Sequence, residues 1–114
     1  MNEYELEIDS LGRTLARLRL EEADPQIIDE NEVELRILRA LYEAARRTLP
    51  AGDHDPRLAA ALESMGFGGW NLASVYSFVY DVAMDAETDG RDLAALIGEM
   101  DFVDTLLEVA GEPG

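Results

Sequence analysis

Residues Leu72 to Ala86 read LASVYSFVYDVAMDA, and wound as a helix they leave only Ser74, Ser77, Asp81 and Asp85 as a narrow polar stripe. A helix that is apolar around nearly all its circumference has to be enclosed by other elements, so the rest of the chain is expected to form a shell around this segment. With 114 residues there is material for one such core, and a single domain over residues 1–114 without an interdomain linker is the expectation. Asn71 stands where a helix cap belongs, just after the flexible run Gly66-Phe67-Gly68-Gly69.

The neighbouring elements follow from local signals. Tyr4, Leu6 and Ile8 alternate with Glu5, Glu7 and Asp9 before Ser10-Leu11-Gly12, a period of two that predicts a β-hairpin over about 3–20. With Gly12 in the left-handed position of a three-residue loop, Glu3 faces Arg19, Glu5 faces Arg17 and Asp9 faces Arg13. A helix from Leu11, with Leu15 and Leu18 on one side, is the rival arrangement; it places Gly12 in its first turn and leaves Leu20 on the wrong face. Residues 21–29, acidic and interrupted by Asp24-Pro25, read as a connection. A helix over about 30–49 then opens at Asp29, with Glu32 completing a capping-box-like start, and stops at Pro50. Asp55-Pro56 is a cap followed by the residue best suited to the first helical position, which predicts a helix over about 56–65 closed by Gly66. A last helical region spans about 92–110, with Asp101 the candidate break and new cap. The expected architecture is α+β: an N-terminal two-stranded hairpin packed on a bundle of four or five α-helices.

Charge narrows the function classes. There are 25 Asp and Glu against 9 basic residues, all arginine, for a net −16. Direct binding to nucleic acid or to an anionic membrane needs a cationic footprint and is not expected. Without cysteine there is no disulfide framework, thiolate metal site or thiol nucleophile. The stretch MNEYELEID is acidic where a signal peptide is basic, and no apolar run approaches the roughly 18 residues of a membrane span, so a cytoplasmic location is expected.

Catalytic and ligand-binding motifs are incomplete. Asp85, Glu87, Asp89 and Gly90 match the first half of an EF-hand loop, but position eight is Asp92 and position twelve, the bidentate glutamate of that motif, is Leu96. The bland assignment is an acidic interhelical turn. His54, the one histidine, lies between Asp53 and Asp55 in a Gly-containing loop and offers no second ligand at a testable spacing. No hydroxyl sits in a nucleophile-elbow pattern. Neither an enzyme, a metal nor a cofactor is expected.

What remains is the distribution of carboxylates. Residues 1–57 hold 14 acids and 8 arginines, whereas residues 58–114 hold 11 acids and only Arg91. Asp85, Glu87, Asp89, Asp92, Asp101, Asp104 and Glu108 are the candidate partner-binding residues, on helices that set some of them in rows like the phosphates of a nucleic acid. Phe78, placed toward the edge of the polar stripe, is the candidate exposed anchor for a partner or a dimer contact. The expected function is a non-catalytic, inhibitor-like domain that docks on a basic, nucleic-acid-handling protein. Nuclease immunity proteins and phage anti-defence proteins resemble this chain in size and charge, a likeness of composition and not of residues. The alternative is a structural or adaptor subunit, monomeric or homodimeric, whose acidity is that of its source proteome.

Overall fold

The computed structural model describes residues 2–86 and 92–111, and among them there are α-helices and one 3-10 segment and no strand. The α+β expectation is thereby overturned. The helices are α1 (Glu3–Leu20), α2 (Pro25–Thr48), α3 (Pro56–Ser64), α4 (Leu72–Ala86), α5 (Leu93–Glu99) and α6 (Phe102–Gly111), with the 3-10 turn Leu49–Asp53 between α2 and α3. The chain divides within α2 into two compact units, one up to Ala40 and one from Leu41 onward.

In the first unit the segment expected to be a hairpin is α1. Tyr4, Ile8, Leu11, Leu15 and Leu18 recur at steps of four and three and form its sheltered stripe, with Leu15 buried. A strand pair needed Leu6 and Leu20 inside, yet these are 54% and 86% exposed. Asp9 and Arg13, which a hairpin would set face to face, instead pair at 3.0 Å across one helical turn. Asn2 caps the start: its side chain accepts the Glu5 N–H at 2.9 Å and its own amide donates to Glu5 Oε1 at 3.1 Å, a capping-box-like exchange. Acids then occupy the first turn and Arg17 and Arg19 the last, which suits the helix dipole. Burial, with the Glu3 carboxylate beside it, pushes the Tyr4 hydroxyl above the usual tyrosine range.

The stretch 21–29 is only partly a connection. Asp24 accepts the Gln26 N–H at 2.9 Å and Pro25 opens α2, so this helix begins well before the expected Asp29. Between the two helices the chain closes a Schellman turn: the Ala23 N–H donates to Leu18 O at 3.0 Å and the Glu22 N–H to Arg19 O at 3.3 Å. Glu22 holds the left-handed position of that turn, at φ 53, where glycine is favoured. The same motif ends α3 with the expected residue, Gly66 at φ 89, and Phe67 N–H donating to Leu62 O at 3.0 Å.

The second unit is built around α4. Val75, Phe78, Val79 and Ala83 are buried with Leu58, Leu62, Ile97, Phe102 and Leu106 from the helices around it. α6 packs on α3, and α4 packs on α3 and α5. The polar stripe of α4 begins one turn later than expected, because Ser74 is buried in the helix cap. It accepts the Asn71 N–H at 3.0 Å, its hydroxyl lies 2.6 Å from Gly69 O, and its N–H donates to Asn71 Oδ1 at 3.1 Å. Trp70 Nε1–H donates to Leu49 O at 2.7 Å, tying the loop before α4 to the 3-10 turn. Gly52 lies under that indole, and a Cβ there would fall on the Trp70 ring.

Two stability effects follow. Glu22→Gly relieves the left-handed strain and raises the unfolding free energy by about 1 kcal/mol, measured by urea denaturation. Gly52→Ala displaces Trp70 from its carbonyl and lowers stability by on the order of 2 kcal/mol, with loss of the native tryptophan emission as the local check.

Candidate functional site: the carboxylates of the C-terminal helices

α6 owes its position to one dipeptide. Asp101 caps the helix, its Oδ1 accepting the Val103 N–H at 3.0 Å and the Asp104 N–H at 3.1 Å, and the next residue, Phe102, is buried. With Phe102 and Leu106 turned into the core, Asp101, Asp104 and Glu108 fall at steps of three and four on the opposite, exposed face. Asp104 and Glu108 are like charges one turn apart, an arrangement that weakens a helix by a few tenths of a kcal/mol. Beside this row an open groove of about 450 Å3 brings Glu99 and Asp101 together with Arg47 and Thr48 of the same unit.

The other expected site residues are placed as follows. Asp85 is exposed in the last turn of α4, and Asp92 caps α5 by accepting the Ala94 N–H at 3.0 Å. Neither lines the groove shared by Glu99 and Asp101. Glu87 and Asp89 lie outside the described residues, as does most of the EF-hand-like stretch. Phe78 is not an exposed anchor: it is only 3% exposed and stands edge-on to Phe67 at 6.2 Å and to Phe102 at 6.4 Å. The stripe edge on which it was placed is covered by these two rings, one from the loop after α3 and one from α6. Tyr80, two residues on, is the aromatic of α4 that faces water, at 45% exposure.

No ion pair among the described residues involves Asp85, Glu99, Asp101, Asp104 or Glu108; Asp9 with Arg13, Arg19 with Glu32 and Asp55 with Arg57 are among the pairs that do form. The ends of the helices differ between the two halves in the same sense. α1 and α2 finish on arginines, Arg17 and Arg19, then Arg46 and Arg47. α3, α4, α5 and α6 carry no basic residue in their last turns and place Glu63, Asp85, Glu99 and Glu108 there instead. A carboxylate at a helix C-terminus opposes the dipole and costs a few tenths of a kcal/mol at each end.

His54 is exposed in the turn before α3, and among the described residues no three His, Cys, Asp or Glu side chains gather to hold a metal ion. No helix of the described residues is long and apolar enough to cross a membrane. No protein-family model, curated protein or solved structure matches the chain.

α3, the support of α6, depends on its own cap. Asp55 accepts the Arg57 N–H at 3.0 Å and the Arg57 guanidinium at 2.7 Å, and these bonds hold its carboxyl below the usual aspartate range. Because the folded-state value is depressed, the stabilisation is complete above the ordinary carboxylate range and disappears as pH falls through the lowered value. Asp55→Ala is expected to lower the melting temperature at neutral pH, and the difference from the parent shrinks once the pH is taken below the carboxylate range, as followed by thermal circular dichroism.

Proposed function

We propose that the chain is a non-catalytic, inhibitor-like binding domain of the cytoplasm that presents the carboxylates of its C-terminal helices to a basic site on a nucleic-acid-handling protein. The observation that carries this is the reversal of charge at the helix ends. An acidity that merely followed proteome composition would leave each helix free to keep arginine at its C-terminal turn, as α1 and α2 do. From α3 onward the dipole is opposed at every helix end. Unpaired, exposed carboxylates of this kind offer a field that steers a cationic surface at long range and that salt screens. Along α6 the spacing of Asp101, Asp104 and Glu108 gives a row of negative charge one helix wide, the footprint a phosphate-binding groove accepts.

Asp101 has two duties, since it also caps α6. The informative variant is therefore Asp101→Asn with Asp104→Lys and Glu108→Lys, because asparagine caps as well as aspartate while the row loses its charge. Immobilised parent protein is expected to retain a basic nucleic-acid-binding protein from source-cell extract at low salt, to release it as salt rises, and to lose it to competing double-stranded DNA. The triple variant is expected to retain at least tenfold less, whereas Glu3→Lys with Glu7→Lys on α1 leaves retention unchanged. Equal retention by the triple variant and the parent overturns the proposal.

A further inference from the structure

The N-terminal unit holds an exception to the chain's acidity. Gly12 lies in the middle of α1, where glycine weakens a helix relative to alanine, yet it has no positive φ and a Cβ built on it would meet nothing within 4 Å. Nothing in the fold of this unit requires a glycine there. A short turn separates α1 from the first part of α2, and the Arg19–Glu32 ion pair links the two helices. Gly12, Leu15 and Arg19 of α1 are gathered with Glu32, Leu35, Arg36 and Arg39 of α2. These residues line one open groove of about 400 Å3.

The floor of the groove is apolar and its walls are cationic. Leu15 and Leu35 are buried at its base, while Arg19, Arg36 and Arg39 stand along it with Glu32 as the one carboxylate among its lining residues. Glu32 is engaged by Arg19, and Arg39 enters no ion pair among the described residues. The Gly12 end of the groove is therefore its positive end, in a chain of net −16. From Gly12 to Arg19 the cleft runs two helical turns, about 10 Å.

We infer that this groove binds a small amphipathic monocarboxylate. The carboxylate lies over Gly12 against the guanidinium group of Arg39, in the room that a side chain at position 12 would fill, and the apolar tail lies on Leu15 and Leu35 toward the Arg19–Glu32 pair. Charge complementarity selects the anion, since arginine forks match a carboxylate. The leucine floor selects the tail, which removes from water apolar surface that a bare inorganic anion would leave wet. The inference is independent of the carboxylate row on α6.

The test uses the full chain with octanoate as the probe, followed by amide chemical shifts and calorimetry. Octanoate is expected to bind saturably and one to one, shifting residues of α1 and the first part of α2, with octanol and acetate each at least tenfold weaker. Gly12→Leu fills the cleft into open space and is expected to leave helicity intact and weaken octanoate at least tenfold. Arg39→Gln, an exposed change that keeps the fold, is expected to do the same by removing charge alone. The inference fails if octanoate does not saturate, if octanol or acetate binds as tightly as octanoate, or if Arg39→Gln binds it like the parent.

Discussion

The edge-on packing of Phe78 between Phe67 and Phe102 holds the C-terminal unit in its arrangement. It joins the loop after α3, the middle of α4 and the first turn of α6 through three rings that none of those segments could bury alone. Once Phe102 is committed to this cluster, the cap at Asp101 and the helical period leave Asp101, Asp104 and Glu108 no choice but the outer face. The most hydrophobic part of the protein thus determines where the most acidic row is displayed. It also explains why Phe78 does not serve as an anchor for a partner, since exposing it would dismantle the cluster that positions the carboxylates.

The stretch through α2 and the stretch from α3 onward use charge in opposite ways at their helix ends. In the N-terminal one, charges obey the dipole and pair with one another: acids open α1, arginines close it, and Asp9–Arg13 and Arg19–Glu32 link turns and helices. From α3 onward, carboxylates cap helix starts, where they stabilise, and also sit at helix ends, where they do not. Opposing a helix dipole four times in one small unit is a local sacrifice of stability. Proteins break such local rules chiefly at functional sites, and this is what supports the proposed binding surface.

Much of the C-terminal unit was legible because its signals are punctuation. Asp55-Pro56, Gly66, Asn71 and Asp101 are capping residues whose chemistry is decided within one turn, and the helices between them have the spans those residues imply. The N-terminal segment was misassigned because two periods overlap there. Tyr4, Ile8 and Leu18 satisfy both the alternation of a strand and the stripe of a helix, so Leu6 and Leu20 decided the choice, and both are exposed. Two local signals favoured the helix: the Asn2-to-Glu5 capping pair and the placing of acids before arginines. The same Asp-Pro logic that located α3 also applies to Asp24-Pro25, which starts α2. The groove beside Gly12 had no sequence signature, because a glycine in a presumed turn needs no explanation, whereas a glycine in a helix does.

The sequence by itself determined the caps of the C-terminal helices, the span of the enclosed helix α4 and the excess of negative charge, since each of these depends on residues within a few positions of one another or on composition alone. Tertiary structure decided which apolar residues go inside, and so the fate of Phe78, the exposure of Leu6 and Leu20, and the meeting of Arg39 with Gly12. Burial is settled by neighbours distant in the chain, and the helical period allows more than one face to be the inner one until those neighbours are in place.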